Sequence, residues 1–325
     1  MQRRTFVSHL VFAGAAAGFT GIPNALAQVA AKEADVANWS SDTVREAFGR
    51  FAATHRMPEA LNRWLTDPAI QCIKPYKVFD NVWNVGLKWV SAYLIDTGEG
   101  WVLIDTTHEP FVDHLIENIA AVGVALDDIR YVLMTHGHFD HVGGCYKLKP
   151  LLRNARFAMS ERGWTEAFAD AKASQGTPRA WKMVDRQDLV IKDGEELRLG
   201  NNVFRSLETP GHTWGTVSYL YDVLREGSRH RAVTVGGLGL NAISGPKQLE
   251  AYIESMRRLA LPEFGVEVDM TAHPFSTGLT ELIPQIVSLK PGDKHPLIDR
   301  QAFLKQLEAL SANARETLER TSRRS

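Results

Sequence analysis

The stretch that decides the fold of this chain is YVLMTHGHFDHVGG, residues 131–144. It opens with an apolar run that predicts a buried strand. Alternate side chains of an extended segment point to the same side, so His136 and His138 can bind one ion. Asp140 and His141 follow where the chain is expected to turn into a helix, and their side chains then point to a neighbouring position. The stretch therefore predicts two adjacent metal sites.

A chance grouping of these side chains is the alternative interpretation. A His-x-His pair on its own is more often a surface or core feature than a metal site. Three imidazoles and a carboxylate within residues 136–141 would repel one another when protonated and would lose solvation when buried. A bound cation removes both costs, so we interpret the motif as metal-binding.

Two further histidines follow predicted strands. His212 lies in the turn TPGHT after the predicted strand 202–209, and His273 lies in TAHP after the predicted strand 268–271. Either histidine alone would more often be structural, but the motif and the position after a buried strand reverse that balance. The predicted ligand sets are His136, His138 and His212 for one ion, and Asp140, His141 and His273 for the other.

Three protein ligands per ion leave a coordination position open, as in catalytic zinc sites. Two zinc ions about 3.5–4 Å apart can bridge a water whose pKa falls to about 7, which provides a hydroxide nucleophile at neutral pH. We therefore predict a hydrolase with two zinc ions per chain. A redox di-iron site stays open because imidazole also suits iron, and so does a non-catalytic metal-binding module.

The His-x-His-x-Asp-His motif resembles that of the metallo-β-lactamase fold superfamily. The complete set of five histidines and one aspartate, and residues 79–86 and 91–95, resemble the third subclass of the class B metallo-β-lactamases. This resemblance implies an α/β fold, the αββα four-layer sandwich. It also implies that Asp105, at the end of a predicted strand, orients the ligands or the motif and does not bind metal.

The segment between the last two histidines distinguishes families of this fold. Glyoxalase II-like thioesterases, many lactonases and flavo-diiron proteins have a bridging aspartate there, whereas this chain has VGGLGL at residues 235–240. Third-subclass lactamases typically carry serines near the positions of Gly237 and Gly239, which help to bind the β-lactam carboxylate. Glycine has no hydroxyl group, so another donor is needed. The candidates for the substrate pocket are His108, Thr213, Gly237, Gly239 and Asn241.

The leading hypothesis is a metallo-β-lactamase that opens the β-lactam amide by attack of a zinc-bound hydroxide, with Asp140 helping to orient the hydroxide. The alternative is a dizinc hydrolase of the same fold that acts on a lactone, a carboxylic ester or a phosphoester. Both hypotheses predict a small-molecule substrate.

Residues 1–27 have the features of a twin-arginine export signal. Arg3 and Arg4 precede a short Gly/Ala-rich apolar stretch, and Ala25-Leu26-Ala27 offers a cleavage site. We expect a periplasmic mature chain that begins near Gln28 and has no membrane segment after signal cleavage.

The chain of 325 residues has an ordinary globular composition, since it is 44% hydrophobic with a net charge of -1. The sequence contains no basic stripe of the kind that would predict nucleic-acid binding. Residues 28–75 predict a helical N-terminal extension, and residues 76–325 predict the hydrolase domain. The apolar stripe of the extension could cover the domain, a pocket rim or a partner subunit. The last of these would make a homo-oligomer through the N-terminal helices. Whether Cys72 and Cys145 form a disulfide stays open.

The pattern of apolar residues also predicts individual elements. Residues 77–85 and 89–96 predict a hairpin, residues 110–122 a helix, and residues 298–319 a long C-terminal helix. Residues 174–188 predict a long loop.

Overall fold

The computed structural model of this chain describes residues 35–54 and 56–322. The predicted signal, residues 1–27, lies outside the described residues, as do the first residues of the predicted extension. Two β-sheets stack face to face, and helices pack on the outer face of each sheet. This arrangement confirms the predicted αββα sandwich.

The first sheet has seven strands, which are neighbours in the order in which they follow one another along the chain. The strands are β1 (Tyr76–Phe79), β2 (Val82–Asn84), β3 (Tyr93–Asp96), β4 (Trp101–Ile104), β5 (Ile129–Leu133), β6 (Arg156–Ser160) and β7 (Leu189–Ile191). Strands β1 to β4 pair antiparallel, and β4 to β7 pair parallel. Parallel neighbours need long crossover connections, and helices provide them here.

The second sheet has five strands. The strands are β8 (Glu196–Leu199), β9 (Asn202–Glu208), β10 (Val217–Arg225), β11 (Ser228–Thr234) and β12 (Val268–Asp269). Strands β8 to β11 form an antiparallel meander, and the short β12 pairs parallel to β11 at the edge.

The helices of the described residues lie before, between and after these strands. They are α1 (Ser41–Thr54), α2 (Glu59–Thr66), α3 (Pro68–Gln71), α4 (Val112–Val122), α5 (Phe139–Val142), α6 (Cys145–Leu148), α7 (Glu161–Ser174), α8 (Pro246–Leu259), α9 (Pro274–Thr277), α10 (Leu279–Val287) and α11 (Arg300–Ser322). Within the described residues, no helix is long and apolar enough to cross a membrane.

The central strands of the first sheet contain consecutive apolar residues because both of their faces are buried. Val102 and Ile104 of β4 point into the layer between the sheets, and Leu103 points into the layer beneath the helices. Val132 and Leu133 of β5 divide in the same way. Alternation between two buried faces produces continuous apolar runs instead of an apolar-polar pattern. The run before His136 is therefore a strand, as predicted.

The predicted hairpin contains one more turn than the pattern indicated. Residues 77–85 form two strands, β1 and β2, because the chain turns at Asp80 and Asn81. The side chains of both turn residues accept hydrogen bonds from the other sheet, Asn81 from the Leu224 N–H and Asp80 from the Glu226 N–H. Strand β3 begins only at Tyr93, since residues 87–90 form a loop against the N-terminal helices.

The other predicted elements differ less from the structure. Helices α4 and α11 each start two residues later than predicted, α11 ends three residues later than predicted, and residues 175–188 contain no helix or strand. Helix α10 was not predicted. Its Pro284 is uncommon inside a helix because proline lacks the main-chain donor.

The apolar stripe of helices α1 and α2 packs inside the same chain. Trp39, Leu61 and Trp64 are buried against Trp89 and Phe111 in a separate apolar cluster. Of the three positions considered for this stripe, the structure places it on the chain's own domain. Cys72 and Cys145 are not joined by a disulfide.

Candidate metal centre

The predicted ligands come together at one edge of the sandwich, and both sheets contribute. His136 and His138 follow β5, and Asp140 and His141 lie in the short helix α5. His212 follows β9 in a turn closed by the hydrogen bond from the Gly211 N–H to the Thr213 carbonyl, 2.9 Å. His273 follows β12 directly before α9. Strand ends on both sheets therefore converge on one place, which a local sequence pattern can suggest but not establish.

The first group consists of His136, His138 and His212. The Nδ1 atom of His138 lies 3.0 Å from Nε2 of His136 and 3.1 Å from Nε2 of His212. All three rings therefore present one nitrogen each to a common point.

The second group consists of Asp140, His141 and His273. Nε2 of His141 lies 3.2 Å from Nε2 of His273 and 3.3 Å from Oδ2 of Asp140, and Nε2 of His273 lies 3.5 Å from Oδ2 of Asp140. A tetrahedral zinc with bonds of about 2.0–2.1 Å sets its ligand atoms about 3.3 Å apart. The spacing in both groups matches that value. The rings of His136 and His141 lie 4.1 Å apart, so the groups are adjacent.

The outer nitrogens of three rings are fixed by hydrogen bonds. Nδ1 of His141 lies 2.7 Å from the Asp105 carboxylate, Nδ1 of His212 lies 2.6 Å from the Gly239 carbonyl, and Nδ1 of His273 lies 2.8 Å from the Trp89 carbonyl. A carbonyl oxygen can only accept, so His212 and His273 must carry a proton on Nδ1. Their Nε2 lone pairs then point into the centre, and they need a partner there, either a shared proton or a metal ion.

The electrostatics of the centre also suit a metal ion. Burial, together with the neighbouring imidazoles, lowers the pKa of His136, and it lowers that of His212 to about 3, so both rings are neutral and able to bind metal. Burial would also lower the pKa of His141, but the carboxylates of Asp140 and Asp105 raise it to about 10. A proton can thus occupy the second group, and metal binding would displace it. The donor set fits zinc in both groups.

Asp105 lies behind the motif and contacts no inner ligand atom. Besides His141, its carboxylate accepts hydrogen bonds from the Thr135 main-chain N–H at 2.8 Å and from the Thr135 hydroxyl at 3.0 Å. It is buried and has a positive φ of 62°. These contacts suit the orienting role predicted for Asp105, because they fix both the start of the motif and one ring.

Gly237 leaves no room for a side chain beside His212, and Gly239 supports the same ring through its carbonyl. A Cβ atom on Gly237 would lie 2.4 Å from Cβ of His212, closer than such atoms approach. A Cβ atom on Gly239 would lie 2.3 Å from the Asn241 side-chain oxygen. The glycines that replace the expected serines therefore allow the main chain to pack directly on a ring of the first group.

The other predicted pocket residues differ in exposure. His108 is buried, with its ring centroid 5.6 Å from that of Trp89, 5.2 Å from that of Phe111 and 5.1 Å from that of Phe139. Burial lowers its pKa to about 4, and its Nδ1 has no hydrogen-bond partner among the described residues. Thr213 is buried, with its hydroxyl 3.0 Å from that of Thr216.

Asn241 differs from these residues because it is exposed, and its side chain lies over Gly239. It is thus the predicted pocket residue most accessible from solvent.

Sequence reasoning missed the groups that act through the main chain. The carbonyls of Trp89 and Gly239 carry no sequence signal, since any residue has a carbonyl. Glu166 of α7 was also missed, although its carboxylate accepts hydrogen bonds from the N–H groups of Trp214 and Gly215, both at 3.0 Å, and so holds the His212 turn. Trp214 is 36% exposed beside this turn.

The fold and the centre are those of the metallo-β-lactamase superfamily. The sequence model described as the Metallo-beta-lactamase superfamily matches residues 86–225. The resemblance found from the motif is confirmed.

Similar solved structures are metallo-β-lactamases. BJP-1, a subclass B3 metallo-β-lactamase of Bradyrhizobium japonicum, superimposes with a TM-score of 0.66 at 22% identity, over 77% of this chain and 95% of that chain. The MIM-2 metallo-β-lactamase superimposes with a TM-score of 0.62 at 26% identity, over 76% of this chain and 90% of that chain.

Several of the similar curated proteins are hydroxyacylglutathione hydrolases. A hydroxyacylglutathione hydrolase of Francisella tularensis subsp. novicida is 29% identical over 154 residues, which are 46% of this chain and 51% of the relative. The chain thus spans about half the length of this relative.

Proposed function

We propose that this chain is a hydrolase with two zinc ions, one in each group, that opens the amide bond of a β-lactam. The adjacent pair of three-ligand groups, made of five histidines and one aspartate, is the observation that carries the proposal. Three protein ligands per ion leave a position for water or substrate. Bound zinc would supply a Lewis acid, which polarises a carbonyl and lowers the pKa of water to about 7.

The chain's own residues would keep the site rigid during the reaction. The outer hydrogen bonds to Asp105, Gly239 and Trp89 fix the rings of His141, His212 and His273 before substrate arrives. Ligands that are already oriented need little reorganisation in the transition state. We assign to Asp140 the second role of accepting a hydrogen bond from the attacking water. Its Oδ2 lies 3.3 Å from Nε2 of His141 and 3.5 Å from Nε2 of His273, and these imidazoles keep the pKa of the Asp140 carboxyl well below its ordinary value despite burial, so the carboxylate is anionic.

The surroundings of the centre also support an uncharged ring with one acidic group as substrate. Trp89 and Phe139 form an apolar wall beside His273 and His108. The Thr213 hydroxyl bonds within its own turn, and positions 237 and 239 offer no hydroxyl. We therefore propose Asn241, the exposed amide beside Gly239, as the contact for the β-lactam carboxylate.

Thioester hydrolysis is the second candidate, and it is favoured by those similar curated proteins that are hydroxyacylglutathione hydrolases. The absence of a carboxylate from residues 235–240 speaks against it, because the resemblance implies a bridging aspartate in that family. β-Lactam hydrolysis is supported by the lactamase MIM-2, to which the chain is similar over 90% of that protein's length.

We also propose that residues 1–27 export the chain through the twin-arginine route, so that the mature enzyme acts in the periplasm. Replacing Arg3 and Arg4 together by lysine should leave the protein in the cytoplasmic fraction. Unchanged periplasmic recovery of this variant would contradict the export proposal.

The function is tested by measuring hydrolysis of nitrocefin, imipenem and S-lactoylglutathione by the purified mature protein, with metal content determined on the same sample. We expect two zinc ions per chain and turnover of both β-lactams that a chelator abolishes. His212→Ala and His273→Ala should each lose one ion. Two bound ions with turnover of the thioester alone would replace the β-lactam proposal by the second candidate.

A further inference from the structure

We infer that the N-terminal helices support the second metal group, and that Gln71 is a positioning residue for His273. This inference rests on the proposed metal centre. It assigns to the N-terminal extension the role of supporting the segments on either side of His273.

Gln71 ends helix α3 and is fully buried. Its side-chain oxygen accepts a hydrogen bond from the Trp89 N–H at 3.1 Å, and its side-chain nitrogen donates to the Trp64 carbonyl. Its main-chain carbonyl accepts a further hydrogen bond from the Lys88 N–H at 3.1 Å. One residue thus joins helix α2 to two successive residues of the loop 87–90.

The loop that Gln71 holds is the loop that orients His273. The Trp89 carbonyl accepts the hydrogen bond from Nδ1 of His273 at 2.8 Å, and the Trp89 ring lies 5.7 Å from the His273 ring. The N–H and the carbonyl of Trp89 flank the same Cα atom, so fixing the N–H restricts the direction of the carbonyl. Gln71 therefore acts on the tautomer and orientation of His273 through one residue of main chain.

The extension also holds the chain on the other side of His273. Phe48 of α1 stacks on Phe275 with ring centroids 5.2 Å apart, and Arg45 donates to the Phe275 carbonyl. The N–H and the hydroxyl of Ser41 both donate to the Glu281 carboxylate, at 2.7 and 2.6 Å. His273 is thus supported by the extension both through Trp89 and through the segment that follows it.

The first group has no such connection. His136 has the Thr135 hydroxyl 3.1 Å from its Nδ1, and His212 has the Gly239 carbonyl. Neither partner bonds to a residue of the extension in the described part of the chain. Removing the Gln71 amide should therefore weaken metal binding at the second group and spare the first.

The test is a titration of the metal-free protein with Co²⁺, whose visible absorption reports each ion as it binds. Gln71→Met removes both amide hydrogen bonds while keeping the length of the side chain. Asn81→Leu is the matched control, because the Asn81 amide is buried, accepts from the Leu224 N–H at 2.8 Å and donates to the Asp222 carbonyl at 3.3 Å, far along β10 from the centre. His273→Ala provides the spectrum of a chain whose second group is broken directly.

We expect the first Co²⁺ to bind Gln71→Met as it binds the wild type, and the second to bind about tenfold more weakly, the lower limit for loss of an outer partner of a ligand. The singly loaded variant should have the spectrum of singly loaded His273→Ala. Asn81→Leu should lower the melting temperature and leave both affinities unchanged.

Gln71→Glu keeps an oxygen to accept from the Trp89 N–H, so it should retain more of the second-site affinity than Gln71→Met. It also carries the test if Gln71→Met fails to fold. Equal weakening in both variants would overturn the role given to the acceptor oxygen.

Wild-type affinities in Gln71→Met, or equal weakening of both ions there, would overturn the inference and leave the metal centre intact. A wild-type chain that binds fewer than two Co²⁺ ions would instead refute the proposed centre, and the inference with it. The wild-type titration separates these two failures.

Discussion

Placing a serine at position 237 should damage the first metal group, although lactamases of the third subclass typically carry serine near this position. The Cβ atom of Gly237→Ser would lie 2.4 Å from Cβ of His212 and 2.6 Å from its Cγ and Cδ2. Ordinary contacts between carbon atoms are about 3.5–4.0 Å. The imidazole or the main chain must therefore move by about 1 Å.

A displacement of this size would break the support of the ring. The hydrogen bond from His212 Nδ1 to the Gly239 carbonyl is 2.6 Å long, and lengthening it by about 1 Å takes it beyond hydrogen-bond range. Overpacking of this kind typically costs about 1–3 kcal/mol. Since metal binding has to draw the displaced ring back, the first-group affinity should fall by about 5- to 150-fold, at 1.4 kcal/mol per factor of ten.

The assay is zinc competition against a chromophoric chelator, with β-lactam turnover measured in parallel. Gly245→Ser is the control, because a Cβ atom at Gly245 meets no atom within 4 Å and the residue lies in the same connection between β11 and α8. A serine at 237 that leaves zinc affinity unchanged and raises turnover would refute the reasoning. It would show that this turn can move away from His212 at no cost.

Three further results are expected. Asp105→Asn should weaken metal binding at the second group by about 10- to 100-fold, since it alters the partner of His141, and Co²⁺ titration measures this. Burial raises the pKa of Asp269 from 3.8 to about 6, so folding disfavours its charged form and the free energy of unfolding falls as pH rises from about 4 to about 6. Asp269→Asn should therefore stabilise the chain by up to about 3 kcal/mol in urea unfolding at pH 8 and have no such effect at pH 4. Removing metal with a chelator should lower the melting temperature, because the ions bind the folded state alone, and added zinc should restore it.

Sequence reasoning succeeded where a residue acts through its own side chain. The ligand types in residues 136–141 are rare in combination, and strand ends are where side chains converge, so the six residues could be grouped before the structure was known. It was less successful at β1 and β2, where a turn formed by Asp80 and Asn81 interrupts an apolar pattern. A pattern over residues 77–85 describes which side chains can be buried and does not fix where the main chain reverses.

Long-range packing could not be predicted from the chain. Gly237 and Gly239 suggested a missing hydroxyl group, and only the position of His212 explains why no side chain fits at Gly237. The helical stripe around Trp64 was equally compatible with a partner subunit, a pocket rim or the domain itself. Gln71 gave no signal, since one buried glutamine is recognisable only from the groups on either side of it.

Because both sheets contribute ligands, a bound ion at this centre is also a cross-link. An ion in the first group joins residue 136 to residue 212, which are 76 positions apart, and one in the second joins residue 141 to residue 273, which are 132 apart. Since the ions bind the folded chain alone, each closes its loop only in the folded state, and it raises the free energy of unfolding through its own binding free energy. Metal would then hold the two halves of the sandwich together as well as act on substrate, and a chain that has lost its ions could open between the sheets before either sheet unravels.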